Sequence, residues 1–298
     1  MRIAVICGGP SLEHDISLAA GEACSEALRL LKYDVHLVLA EENLPECLSS
    51  IRPDVAFNAL HGRWGEDGCV QGIFEWMKIP YTHSGVLASA MAMDKQRSKI
   101  AYHAAGVPTP ESRLMSRADI GEAHAMAPPY IVKPHNEGSS LGGFFLIEEG
   151  DDPPVIPSNS RDVFMIEAFV PGRELTVAVL DGKAIAVSEF DIGKWYDFNS
   201  KYTLSDANRI LPAKLPPDIY DRCLDLAERA HNGLGCRGIS RTDIRWDESL
   251  GADGLFALET NTQPGLRPNS NAGQQAACIG MSFPDLCDFL VKDASLDR

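Results

Sequence analysis

The tightest constraint on this chain lies in its first eighty or so residues, where strand-like and helix-like patterns alternate. An apolar run at residues 3–7 ends in Gly8-Gly9-Pro10, and beyond this turn Ile16, Ala20, Ala23, Ala27 and Leu31 recur at helical spacing. Further β-like runs follow at residues 35–39 and 55–60, with Pro53-Asp54 between them. Strands separated by helices pair in parallel and need helices over the sheet, so an α/β unit with a small parallel sheet is expected. Ligands of such sheets bind at the loops leaving the carboxyl ends of the strands, which sets residues 8–13 and 61–67 on one rim.

The remainder is patterned differently. Strand-like segments at residues 130–133, 143–147, 164–166 and 175–180 flank a glycine- and serine-rich loop at 135–142, while residues 151–160 carry too much Pro, Asp, Asn and Ser for a helix. A strand at 184–190, a helix over 217–234, strands around 239–246 and 255–259 and a closing helix near 284–291 complete the pattern. At 298 residues the chain forms two or three compact units by the usual size of domains.

A formal net charge of -15 argues against a protein held to nucleic acid or anionic lipid by a general basic surface, so any bound anion must be gripped locally. No apolar run is long enough to span a bilayer, and Met1 leads directly into a strand pattern instead of a signal peptide, which points to the cytoplasm. The eight cysteines are scattered, form no C-x-x-C pair and read as buried free thiols.

Two clusters are candidates for chemistry, and each has a plain structural reading beside it: a surface hairpin for the first and an exposed sheet face with a salt bridge for the second. In the first, Lys133 closes a strand and is followed by Pro134-His135-Asn136-Glu137-Gly138-Ser139-Ser140-Leu141-Gly142. Glycines let a backbone approach phosphate closely, and backbone N–H groups and serine hydroxyls donate to its oxygens. In the second, Arg241-x-Asp243 and Glu259-x-Asn261 lie on two strand-like segments joined by a turn-rich connection. Alternate residues of a strand share a face, so three oxygen donors and a cation converge. Such oxygens suit a hard ion such as magnesium, taken together with nucleotide phosphates.

Six motifs, in order, resemble those of D-alanine:D-alanine ligases. They are Gly8-Gly9-x-Ser11-x-Glu13, Leu60-His61-Gly62-Arg63-x-Gly65-Glu66-Asp67-Gly68, Met93-Asp94-Lys95-x-Arg97-Ser98-Lys99, Lys133-Pro134 through Gly142, Glu259-x-Asn261-Thr262-x-Pro264-Gly265 and Gly280-Met281-Ser282-Phe283. The resemblance spans nearly the whole chain and implies an α/β (α+β) ATP-grasp fold of three domains. We place these at residues 1–90, a substrate domain, 91–180, a central ATP-grasp domain, and 181–298, a catalytic ATP-grasp domain.

Carried over by position, the resemblance implies ATP and magnesium, or manganese in its place, with D-alanine as substrate and a homodimer as assembly. Lys95 and Lys133 resemble the nucleotide-phosphate lysines, Glu167 an adenine- or hinge-side contact, and Glu174 the ribose carboxylate. Asp243, Glu259 and Asn261 match the magnesium ligands. Glu13 resembles the residue receiving the first substrate's ammonium, with His61 near its carboxylate. Ser139 and Tyr202 look like the pair that joins Glu13 in holding the first site and its covering loop, and Lys201 and Tyr202 lie in a segment, 197–212, resembling the loop that closes over ATP. Arg241, Gly265 and Ser270 match residues around the second substrate and the developing oxyanion.

The implied chemistry is coherent. A carboxylate becomes electrophilic only after phosphorylation by ATP, magnesium and lysines offset the charge repulsion, and an amine then attacks the acyl phosphate.

The chain also departs from the family pattern. The stretch after Ile147 is short and proline-rich, the connection over 113–129 is abbreviated, and Asn136 stands where an arginine is common. Arg267-Pro268-Asn269-Ser270-Asn271 replaces a threonine, serine, histidine, serine, leucine run, so Asn271 puts a polar amide into the second-substrate pocket. Two other readings therefore stand beside D-alanyl-D-alanine synthesis for peptidoglycan precursors: a paralogous ligase with a more polar second substrate, and a nucleotide-binding protein without turnover.

Overall fold

The computed structural model describes residues 1–137, 145–157, 162–190 and 209–296, which form three sheets with covering helices. Strands β1 (Arg2–Cys7), β2 (Asp34–Leu39) and β3 (Val55–Asn58) form a parallel sheet in the order β2-β1-β3. Its central strand is buried on both faces, as a parallel sheet requires. Ile3, Val5 and Cys7 pack under α1 (His14–Leu30), and Ala4 and Ile6 pack with residues of α2 (Leu44–Ile51) and α3 (Cys69–Met77).

The buried stripe of α1 differs from the expected one. It runs through Ser17, Ala20, Gly21, Cys24, Ala27 and Leu28, while Leu31 is exposed. Small residues win because helix and strand approach closely: a Cβ on Gly21 would sit 2.5 Å from Cys7 Cβ. Apolar periodicity counts methyl groups and overlooks a contact face made of Gly, Ser and Cys.

The second sheet is antiparallel, ordered β4-β7-β5-β6, from β4 (Ser112–Ser116), β5 (Tyr130–Pro134), β6 (Phe145–Ile147) and β7 (Val163–Ala168). Tyr130, Val132, Phe164 and Ile166 are the centre of its core. Strand β4 was not expected, since Ser112-Arg113-Leu114-Met115-Ser116 is polar and half exposed.

The third sheet, also antiparallel, is ordered β10-β9-β8-β11-β12, from β8 (Arg173–Leu180), β9 (Lys183–Phe190), β10 (Arg209–Ile210), β11 (Ile239–Trp246) and β12 (Leu255–Asn261). Because β8 pairs with both β9 and β11, the division expected at residue 180 falls inside this sheet. One face packs against α4 (Val86–Met93), α5 (Lys95–Ala104) and α6 (Pro217–Leu234), through Leu175, Val177 and Val179 against Ala92, Tyr102, Ile219, Leu226 and Ala230. Helix α6 opens on Pro217 and stops at left-handed Gly235, as start and stop signals dictate. Over the other face lies α7 (Asn271–Cys278), anchored by Gln275, whose Oε1 accepts from Ala178 N at 2.7 Å and whose Nε2 donates to Ser188 Oγ at 2.9 Å.

The final helix, α8 (Phe283–Asp293), returns to the first sheet and buries Leu286, Cys287 and Leu290 beside Ile3, Val5 and Leu28. None of the eight cysteines is in a disulfide; burial pushes the Cys223 and Cys236 thiols up to about 12, as inert core residues. Among the described residues, no helix is long and apolar enough to cross a membrane.

Candidate active site

The loops leaving β1 and β3 meet. Gly8 and Gly9 adopt positive φ, Gly8 N donates to Ser17 Oγ at 2.8 Å, and Ser17 Oγ donates to Ala59 O at 2.8 Å, which pins the first loop to the third strand. Ser11 Oγ donates to His61 O at 2.7 Å. Glu13, buried at the start of α1, holds its carboxylate over Gly62, where a Cβ would come within 2.3 Å of Oε2. A side chain there would have to push the Glu13 carboxylate aside, and the positive φ of Gly62 also favours glycine.

His61 and Glu66 form a buried pair, with Nδ1 3.1 Å from Oε1, and Gly62 N donates to the same oxygen at 3.2 Å. Burial pushes the Glu66 carboxyl up, with His61 and the Gly62 N–H opposing and Glu13 reinforcing. His61 Nε2 is buried and makes no hydrogen bond. With Nδ1 committed to Glu66, Nε2 is the atom left for a ligand. Sequence reasoning placed Glu66 in a motif without giving it this role.

Around the second and third sheets, Lys95 opens α5 just after the N-cap Asp94, which accepts from Gln96 N and Arg97 N. Lys95 N donates to His135 O at 2.8 Å, and its Nζ donates to Glu137 O at 2.8 Å and lies 3.1 Å from Glu259 Oε2. A single lysine thereby ties the end of β5 to β12. Lys133 Nζ pairs with Glu167 Oε1, and Lys99 Nζ lies 2.8 Å from Glu167 Oε2. Both oxygens of the expected adenine-side Glu167 are therefore taken up by lysines. Lys99, one helical turn beyond Lys95 on α5, is a site residue that sequence reasoning left without a role; the i, i+4 spacing was its signal. Glu174, the expected ribose carboxylate, is buried opposite Arg245 on β11, 3.6 Å from its Nη1.

Strands β11 and β12 set Arg241 opposite Asn261 and Asp243 opposite Glu259. A register shift just beyond Asp243 ends this regular pairing, the kind of bulge that re-aims side chains beside active sites. Arg241 grips Asp243 with Nε and Nη2, at 3.0 and 3.1 Å, and Thr176 Oγ1 donates to Asp243 Oδ1 at 2.7 Å. Asn261 Oδ1 accepts from Gln263 N at 2.8 Å.

The donor set of Asp243, Glu259 and Asn261 fits an ion shared with phosphate oxygens. Magnesium is commonly held by one or two carboxylates plus phosphates, and among the described residues no group of three His, Cys, Asp or Glu forms a closed protein cage. Lys95 faces Glu259 and Arg241 faces Asp243.

Past β12, Gln263 is almost fully buried and its Nε2 donates to Leu60 O, linking the third sheet to the first rim. This tie between distant segments was invisible in the sequence. A Cβ on Gly265 would meet nothing within 4 Å, so its backbone borders open space. Ser270 caps α7: Oγ accepts from Gly273 N at 3.2 Å and donates to Arg267 O at 2.8 Å. Asn271 is the first residue of that helix, and its Oδ1 is buried without a hydrogen bond, while Arg267 lies exposed. Of Arg267 and Asn271, only Asn271 buries a polar atom. Ser139, Lys201 and Tyr202, with the glycine-rich loop over 138–142, lie outside the described residues.

The chain is similar to known ligases along its whole length. A family model described as D-ala D-ala ligase C-terminus matches residues 102–292, and its N-terminus counterpart matches 40–84. A D-alanine–D-alanine ligase of Ruegeria pomeroyi is 54% identical over 100% of this chain and 97% of its own, and one of Cereibacter sphaeroides is 51% identical over 100% and 97%. Among solved structures, the Bacillus anthracis D-alanine–D-alanine ligase superimposes with a TM-score of 0.81 at 28% identity, covering 98% of this chain and 97% of that one. The same enzyme complexed with ATP superimposes at 0.80 with 26% identity, with the same coverage. The three sheets above are thus arranged as in these ATP-grasp ligases, and the chain belongs to the D-alanine–D-alanine ligase family.

Proposed function

We propose that this chain joins two D-alanines into D-alanyl-D-alanine, converting ATP to ADP and phosphate, as a step toward peptidoglycan precursors. The carrying observation is the cross-strand register that sets Arg241 beside Asn261 and Asp243 beside Glu259, with Lys95 reaching Glu259 from the start of α5. The relatives' names and the ATP complex of the Bacillus anthracis enzyme support the same reading.

In this reading Lys95 and Lys133 hold phosphate oxygens, Glu174 receives the ribose, and Asp243, Glu259 and Asn261 hold magnesium, or manganese, which neutralises the triphosphate. Glu13 receives the ammonium of the first D-alanine and His61 Nε2 its carboxylate end. The carboxylate oxygen attacks the terminal phosphorus and ADP leaves. The second amine, having lost a proton, attacks the acyl carbon, and inorganic phosphate departs with its oxygen. Arg241 and the Gly265 N–H face the oxyanion, each donor of this kind contributing roughly 3 to 4 kcal/mol. Ser270 and Asn271 border the second substrate. Ser139, Lys201 and Tyr202 close the site against water, which would otherwise hydrolyse the acyl phosphate. The homodimer and cytoplasmic setting belong to the same reading, and sedimentation of the purified chain tests the first.

Phosphate release from ATP and magnesium with D-alanine alone, with mass analysis of the product, tests the proposal. The dipeptide is the expected product. No phosphate release with any amino acid mixture would sink it and leave a binding protein. A second reading, in which the second substrate is more polar than alanine, is favoured by the buried Asn271 Oδ1 that has no donor. It predicts that D-amino acids with a hydrogen-bonding side chain outcompete D-alanine as nucleophile.

A further inference from the structure

Lys99 lies outside every role assigned above, yet it is one of the most buried cations of the molecule. Its side chain is 6% exposed, its Nζ donates to Pro110 O at 2.7 Å, and it lies 2.8 Å from Glu167 Oε2. Glu167 is 1% exposed, and Lys133 sits on its other oxygen. One carboxylate therefore stands between two ammonium groups in a region closed to water. The arrangement carries a surplus of one positive charge.

That surplus decides what Lys133 can do. A lone Lys133–Glu167 pair would be neutral, and a phosphate approaching Lys133 would compete with a buried carboxylate for the same ammonium while being repelled by it. With Lys99 on the second oxygen, Glu167 is compensated independently. We infer that Lys99 is a positioning residue for nucleotide binding, which neutralises Glu167 so that Lys133 keeps a net positive charge for a phosphate oxygen. This rests on the proposed role of Lys133. The electrostatics agree with it. Burial pushes Glu167 up, but Lys133 and Lys99 more than offset this and hold it below the ordinary carboxylate value. Burial draws Lys99 below the usual ammonium range, with Lys133 adding to the shift and Glu167 opposing it. Pairing with an ionised carboxylate favours the protonated lysine.

The register explains why the two lysines can share one carboxylate. Glu167 on β7 pairs with Ile131 on β5, two residues from Lys133, so Glu167 and Lys133 are diagonal neighbours on one sheet. Lys99 reaches the same carboxylate from α5, whose first residue, Lys95, contacts Glu259. One helix thus delivers one lysine to Glu259 and another to Glu167.

The test is a double-mutant cycle on the full chain, reading ADP affinity by calorimetry with magnesium present, together with KM for ATP and kcat. Lys99→Met is expected to weaken ADP and raise KM for ATP by about tenfold while kcat changes by less than about threefold, the loss of one close charge. Lys99→Arg, which keeps the charge, should stay within about threefold of the parent. In a Glu167→Gln background no carboxylate competes with phosphate for Lys133, so adding Lys99→Met should change ADP affinity by less than about twofold. A merely structural lysine would lose affinity equally in both backgrounds, and that result, or unchanged affinity in Lys99→Met, overturns the inference. Should Lys99→Met alone fail to fold, the double variant against Glu167→Gln decides: equal affinity supports the inference and a tenfold loss overturns it. Parent protein that binds no nucleotide, or Lys133→Met that binds it undiminished, removes the reading of Lys133 and the inference with it.

Discussion

At the scale of single residues, burial and partner determine behaviour more than residue type does. Asn271 is a polar side chain whose Oδ1 is buried without a donor, a defect that costs on the order of 1 to 3 kcal/mol in comparable cases. Asn271→Leu is therefore expected to raise stability by about 1 kcal/mol in urea unfolding and to increase use of D-alanine as nucleophile. An unchanged nucleophile preference would count against a polar second pocket.

His231 gives the complementary case. It is buried in α6 with Nδ1 2.7 Å from Ser240 Oγ, and burial lowers it to about 4 from its ordinary value of 6.5, with Asp181, Glu228 and a Cys236 backbone contact opposing. The folded chain resists protonation that the unfolded chain accepts. The associated stability is fully present above pH 6.5 and is lost as pH falls toward 4, by an amount on the order of 3 kcal/mol. Urea unfolding across this window should show the decline, and His231→Gln should flatten it.

At the scale of elements, the parallel sheet and the two antiparallel sheets have different sequence signatures. Strands β1 and β3 were legible because strands buried on both faces read as continuous apolar runs. Helix α6 was legible to its terminal residues, since proline opens it and glycine closes it. Strand β4 was not legible, because half-exposed polar residues carry no period of two; pairing with β7 makes it a strand. The contact face of α1 was displaced for a related reason, as its small residues transmit close packing without apolar periodicity. Gly21→Ala places a methyl group against Cys7 and is expected to destabilise the fold by roughly 1 to 3 kcal/mol, read as a lowered Tm. Unchanged Tm would mean that α1 can slide over β1 without loss.

For the whole molecule, the active site is an agreement among three sheets. The hydrogen bond from Gln263 to Leu60 O spans 203 residues of sequence and joins the loop after β12 to the rim that carries His61. Helix α8 makes a second closure by packing the end of the chain into the first core. Gln263→Met keeps side-chain volume and removes the donor. We expect it to raise KM for D-alanine several-fold, to leave ATP affinity unchanged, and to lower stability by about 1 to 3 kcal/mol, because Leu60 O is left buried without its partner. Equal weakening of ATP and D-alanine would show instead that the tie supports the whole cleft.

What the sequence alone determined was local and periodic: a parallel α/β unit at the start, strands and helices with recognisable limits, and six ordered motifs that contain Glu13, His61, Lys95, Lys133, Glu259 and Asn261 of the candidate site. The β11 and β12 alternation was sufficient to group Arg241 with Asp243 and Glu259 with Asn261, because a strand's period of two is a local property. The tertiary structure alone decided which charge answers which. Lys99 reaches Glu167 across 68 residues of sequence, Lys95 reaches Glu259 across 164, and β8 joins the sheet of β11 rather than that of β7. No pattern along the chain encodes such partners, because they are selected by burial: a charge removed from water must find its counter-charge wherever the packed elements place one.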